Sequence, residues 1–153
     1  SFSPAGAPSP DEQRTRGLDQ FVMDDHASAL AFVRLLYARP PVYLPVVARA
    51  CRWLFHRAPV QQLLRSARED YSLTLTADAV ASLSMPIRWV WGEVERTMLP
   101  AHRAFWVEHL PPTAERLTPA HFTHCPYLEY VGEVADLITD FVTSIPATSA
   151  AAA

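Results

Sequence analysis

Glycine is scarce in this chain: 153 residues hold 4 glycines against 14 prolines. Turns that need positive φ draw on glycine, whereas proline stiffens loops and stops helices. A complete domain of mixed strands and helices usually carries more glycine, so the imbalance points to part of a domain. Cysteine is nearly absent too. Cys51 and Cys125 stand far apart and form no Cys-x-x-Cys spacing, which removes the usual zinc-ribbon frameworks. Independence from disulfides fits a reducing compartment, such as the cytoplasm or an organelle matrix. No uninterrupted apolar run approaches the roughly 18 residues needed to span a bilayer, so no transmembrane segment is expected. The opening SFSPAGAPSP lacks the charged and apolar stretches of a secretory signal. No basic run exists either. The densest stretch, HRAPVQQLLRSARED, is diluted and ends in acids, and the net charge is −3. Nucleic acid is therefore not an expected partner.

What is present is a globular balance. Half of the residues are hydrophobic and 19% are charged, and a chain of this length can bury a sizeable core as one domain. Residues 1–16 are rich in proline, serine and charge and read as irregular. Asp24 and Asp25 are candidate helix caps. From Ala27, the stretch ASALAFVRLLYAR places Leu30, Val33, Leu36 and Tyr37 on one face at helical spacing. PPVYLP breaks that helix. VVARACRWLFHR repeats Val46, Val47, Ala50, Cys51, Leu54 and Phe55 and predicts a second. Pro59 can open a third, PVQQLLRSARED, since proline suits a first turn. TADAVASL predicts a short fourth, with Thr76 or Asp78 near its start.

The pattern changes at Pro86. IRWVW, 87–91, is β-branched and aromatic, is halted by Gly92, and reads as a strand. PAHRAFWVEHL, 100–110, has helical spacing at Ala104, Phe105 and Leu110. AERLTP reads as a short strand. YVGEVADLITDFVTSI places Val134, Leu137, Ile138, Phe141, Val142 and Ile145 on one helical face. A helical block is thus followed by strand, helix, strand, helix: the α/β order, two β-α units of a parallel sheet. Two parallel strands do not make a stable sheet by themselves, so further strands are expected from elsewhere.

Two stretches carry a family resemblance. MPIRWVWGEVERTMLP, 85–100, resembles the penultimate strand and acid turn of α/β-hydrolase-fold enzymes. FTHCPYLEYVGEVADLITDFV, 122–142, resembles their histidine loop and last helix. The helical block, with LLYARPPVYLP, resembles the lid of lipase- and monoacylglycerol-hydrolase-like members, and SFSPAG resembles the end of the preceding strand. The resemblance covers nearly the whole chain but only the C-terminal half of the family's domain. It implies a division into an irregular segment continuing from a missing strand (1–16), a lid (17–84), the C-terminal part of the core (85–146) and a disordered tail (147–153).

Carried over, His124 falls on the general base and Glu95 on the acid that orients it, with Glu93 the less favoured carboxylate. A serine hydroxyl needs a neighbouring imidazole to take its proton, and the imidazole works best when a carboxylate fixes its tautomer. Two positions depart from the family pattern: Glu95 stands where aspartate is usual, and Thr123 where glycine precedes the histidine. No Gly-x-Ser-x-Gly elbow occurs. The resemblance thus implies the C-terminal portion of a serine hydrolase acting on an ester, thioester or amide of an apolar acyl substrate. The nucleophile would lie upstream of Ser1, on the N-terminal half of the same domain as partner. The alternative is a catalytically inactive α/β-hydrolase-like structural or assembly subunit. No cofactor is expected.

The residues taken alone leave other readings open. His121, His124 and Cys125 lie close enough in sequence to suggest a metal, but zinc needs about four ligands and no other Cys or His lies near. Cys125 reads as a loop residue beside the base. Glu95 reads equally as a solvated turn carboxylate next to Arg96. Phe32, Tyr37, Trp53 and Phe55 serve either packing or an apolar pocket. Trp89 and Trp91 read as core, and His26, His56, His102 and His109 as helix-surface residues.

Overall fold

The computed structural model describes residues 2–4, 6–8, 17–69 and 74–145. The expectations for residues 9–16 and for the tail 147–153 lie outside them. Helix α1 (His26–Leu35) starts where Asp25 caps it: the Asp25 side chain accepts from the Ser28 amide, and the Ser28 hydroxyl answers the Asp25 amide. That reciprocal pairing satisfies two of the donors orphaned at a helix start. Helix α2 (Leu44–Phe55) begins two residues earlier than its apolar pattern suggested, because Pro45 is tolerated in the first turn. Helix α3 (Ala58–Glu69) has no buried residue, and short α4 (Ala77–Ala81) is capped by the Thr76 hydroxyl on the Ala79 amide.

Helices α1 and α2 pack on each other around Met23, Ala29, Phe32, Val33, Tyr37, Leu44 and Ala48. Phe21, Phe32 and Phe55 form an aromatic trio beside them, with centroids 5.2 to 5.9 Å apart. The buried face differs in part from the sequence pattern. Val33 and Tyr37 are buried as expected, Leu30 and Leu36 only half so, and Val46, Ala50 and Leu54 of α2 face outward. α1 also stops at Leu35, short of the expected Arg39: the Leu36 and Tyr37 amides still bond back to Val33 and Arg34, but those of Ala38 and Arg39 bond Glu129 instead.

Strand β1 (Arg88–Val90) pairs in parallel with β2 (Glu115–Leu117), Arg88 opposite Glu115 and Val90 opposite Leu117. On the other edge of β1, Phe2 forms a parallel bridge to Val90, and the Ser3 amide donates to the Val90 carbonyl at 2.8 Å. The alternation of strand side chains then sorts the core into two faces. Trp89 and Trp91 point one way, stack at 5.7 Å, and bury with Val80, Leu110 and the Trp106 of helix α5 (Pro100–His109). Val90 points the other way, onto Phe122 and the Val134 of helix α6 (Val131–Ser144). The sheet is thus covered on both sides, as parallel sheets require. Arg88 fastens the layers: it pairs with Glu115 at 2.6 Å, and its guanidinium lies 5.2 Å from the Phe141 ring of α6. Of the α6 stripe read from the sequence, Val134 is buried, Leu137 and Phe141 are half-buried, and Ile138 and Val142 are exposed. Among the described residues no helix is long and apolar enough to cross a membrane.

The loops after β1 and β2 meet at Gly92. A Cβ placed there would overlap the Phe122 carbonyl group and lie 2.8 Å from the Phe122 Cβ, none of which can give way without moving backbone. Glu93 and Val94 amides donate across the same seam, to Pro119 and Phe122 carbonyls at 3.1 Å each. Gly132, in contrast, has nothing within 4 Å of a built Cβ. Gly92→Ala should therefore cost about 2–3 kcal/mol or more through forced backbone displacement. Gly132→Ala, at a helical position, should gain up to about 0.5 kcal/mol. Denaturant unfolding of both variants checks the pair of opposite signs.

Candidate active site

Glu95 ends a tight turn in which its amide donates to the Gly92 carbonyl at 3.2 Å. Its side chain folds back onto the backbone ahead of α5. Oε1 accepts from the Thr97 amide at 2.6 Å and the Met98 amide at 3.0 Å. Two backbone donors thus hold one oxygen in a fixed direction and leave Oε2 aimed across the seam. The side chain is only 3% exposed, so it is not a solvated turn carboxylate.

The opposing loop is anchored by Phe122, which is buried and stacks on Tyr130 with centroids 5.6 Å apart. After it come Thr123, His124 and a single 3₁₀ turn, Pro126–Leu128, closed by the Tyr130 amide on the Pro126 carbonyl at 2.7 Å. This places His124 Nδ1 2.8 Å from Glu95 Oε2, across 29 residues of sequence. An ionised carboxylate only accepts, so Nδ1 carries the proton and Nε2 is left with its lone pair. Nε2 has no hydrogen-bond partner among the described residues, and the side chain is 20% exposed. The pair is therefore an oriented imidazole with one nitrogen fixed and the other open.

Burial pushes the Glu95 carboxyl up, but the His124 hydrogen bond, the Met98 amide, the imidazole's charge and the Thr97 amide outweigh it, so its pKa lies below the ordinary 4.5. Glu93 is exposed and makes no such contact. Cys125 accepts a hydrogen bond from the Tyr127 hydroxyl at 3.2 Å, and burial, with the Glu95 charge behind it, pushes its thiol up, away from a reactive thiolate. His121 turns from the pair and bonds Glu133 at 2.8 Å. Among the described residues no group of three or more His, Cys, Asp or Glu side chains is placed to hold a metal ion. His102 departs from its surface expectation: both ring nitrogens are buried without a partner among the described residues, and burial holds its pKa down.

Sequence reading missed the residues that secure the pair. Thr123 is buried, and its hydroxyl donates to the Leu36 carbonyl at 2.9 Å. Glu129 Oε2 accepts from the Ala38 amide at 2.7 Å, and Oε1 from the Arg39 amide at 2.8 Å. Gln20 Nε2 donates to the Thr97 carbonyl at 3.2 Å. The only non-glycine residue with positive φ among those described is Ser3, at 38°. Thr123 therefore sits in ordinary backbone, and the close approach that glycine permits falls at Gly92. Its signal in the sequence was the Trp-Gly that ends the strand; no local pattern pointed to the partners of Thr123 and Glu129.

A carboxyl whose folded pKa is depressed contributes stability above its unfolded pKa and loses it as pH falls through the folded value. Glu95→Gln should thus lower stability by about 1–3 kcal/mol at neutral pH. The gap between variant and parent should shrink as pH falls below 4.5. Urea unfolding across that range measures it, and a gap constant to the acid limit would refute the assignment.

No protein-family model and no curated protein sequence matches the chain. Its coordinates resemble several solved structures. A serine hydrolase from the polyaromatic hydrocarbon-degrading bacterium Cycloclasticus zankles superposes with a TM-score of 0.72 at 14% identity, over 92% of this chain and 53% of that one. A meta-cleavage product hydrolase from Pseudomonas fluorescens IP01 gives 0.71 at 14% identity, over 93% and 54%. A 2-hydroxy-6-oxo-6-phenylhexa-2,4-dienoate hydrolase from Rhodococcus sp. strain RHA1 gives 0.69 at 13% identity, over 94% and 54%. The chain spans about half the length of the structures it matches. With β1, β2 and their covering helices in parallel α/β order, the chain has the fold of the C-terminal half of an α/β-hydrolase.

Proposed function

We propose that this chain supplies the acid and the histidine of a serine-hydrolase triad, the serine residing on the N-terminal half of the fold. The observation that carries this reading is the His124 Nδ1 to Glu95 Oε2 hydrogen bond of 2.8 Å, with Nε2 left open. In the reaction, His124 Nε2 takes the proton of the serine hydroxyl as its oxygen attacks the acyl carbon. The same nitrogen returns that proton to the leaving group, and water repeats the sequence to release the acid. Glu95 holds the ring in the Nδ1–H tautomer and steadies the imidazolium formed on the way. The longer glutamate reaches because two backbone amides fold it back. Residues 17–84, with helices α1 to α4, are read as the lid.

Exposed apolar surface supports the partner half. Val131 is 66%, Ile138 49% and Val142 61% exposed on α6. Surface of this kind marks an interface. The matched structures include one described as a thermophilic esterase and one as a phospholipase A. Acyl transfer to water from an apolar ester, thioester or amide is the chemistry the pair suits; the fold itself does not select among these.

A fluorophosphonate probe tests the reading on the assembled two-half domain. The serine should label, and His124→Ala should slow labelling by about 10³-fold, with Glu95→Gln slowing it less. Assembled wild-type protein that takes no label would instead favour an inactive structural subunit.

A further inference from the structure

His124 is bracketed. On one side Thr123 bonds the Leu36 carbonyl, and on the other Glu129 takes the amides of Ala38 and Arg39. All three bonds land on the four residues that close α1. Leu36 is the helix cap, whose carbonyl would otherwise be left among the orphans of the helix end. Ala38 and Arg39 carry the last two amides before Pro40 and Pro41, which have none. A carboxylate gives each of two consecutive donors its own oxygen, whereas a neutral amide side chain puts an NH2, itself a donor, in place of one of them.

The helices α1 and α2 pack around their own core, separate from the two clusters that flank the sheet. Among the described residues, few side-chain hydrogen bonds cross between the helical block and the loops of the site. Those that cross at the candidate pair reach both of its members. The Gln20 amide holds the acid turn through the Thr97 carbonyl, and Thr123 with Glu129 holds the histidine loop. Displacing the helical block must either break these bonds or drag one loop against the other. The Glu95–His124 bond lies across that division.

We infer that Thr123 and Glu129 are positioning residues that latch the histidine loop to the end of α1, so that the direction of His124 follows the position of the lid. The inference deepens the proposed function and rests on it. Thr123, which replaces the glycine of the family pattern, then has a task of its own: its hydroxyl forms one arm of the latch.

The assembled domain tests this with two variants and three readouts. Glu129→Gln should speed hydrogen exchange at the Ala38 and Arg39 amides at least 10-fold. It should also shift or broaden the downfield proton of His124 Nδ1, which Glu95→Gln removes and so identifies. Fluorophosphonate labelling should slow about 10-fold, and combining Glu129→Gln with His124→Ala should cause no loss beyond His124→Ala alone, an outcome that a general loss of structure would not give. Thr123→Val should affect the His124 proton in the same way, and Thr123→Ser should restore it. Faster amide exchange with an unchanged His124 proton would overturn the inference, leaving a tie that holds the lid and nothing more. Unchanged exchange would overturn it as well. If wild-type protein takes no label while the His124 proton still responds to Glu129→Gln, the hydrolase reading fails and the latch stands.

Discussion

Two loops leave neighbouring parallel strands and meet because the backbone at Gly92 carries no side chain. The Phe122 carbonyl fills the space where a Cβ would lie. Parallel strands put their carboxyl ends side by side, and groups on the following loops converge there. Convergence to hydrogen-bond distance needs more, namely backbone against backbone. The seam between Glu93, Val94, Pro119 and Phe122 provides it, and Glu95 and His124 face each other as a result.

The pair also illustrates how a carboxylate is kept charged inside a protein. Burial alone would favour the protonated form of Glu95. Two amides and an imidazole reverse that preference. The same amides supply the stiffness: an oxygen bound twice at 2.6 and 3.0 Å leaves the other oxygen little freedom of direction. Orientation and charge therefore come from one set of contacts.

Much of this was legible in the residues. The strand RWV followed by Trp-Gly, the short ERL strand, and the long apolar stripe of α6 follow from alternation and helical period, signals that local sequence carries. The positions of Glu95 and His124 were legible only through their resemblance to paired motifs. Three features were not legible, for a common reason. The end of α1 at Leu35, the burial of Thr123 and the use of Glu129 depend on partners 87 to 91 residues away. The apolar spacing of ASALAFVRLLYAR continues past Leu35, but the backbone groups at 36, 38 and 39 are claimed from outside the helix. Likewise, the face that α6 buries is set by where β1 and β2 lie, so Val142 is apolar in pattern yet exposed.

The distances along the chain between bonded groups have a kinetic consequence. The α1–α2 pair closes locally: Arg52 reaches back to Met23 across only 29 residues. The strand pair and its loops close over a similar span, 27 residues from Arg88 to Glu115, whereas the ties to the helical block and to the first residues span far more, 77 from Gln20 to Thr97 and 102 from Trp106 to the Pro4 carbonyl. The entropy lost on closing a loop grows with its length, and distant pairings form slowly. Helices α1 and α2 can thus complete their own core while the longer spans are still open. The Glu95–His124 bond spans the same 29 residues and can close on that scale too, which leaves the ties between the helical block and the loops of the site as the last to form.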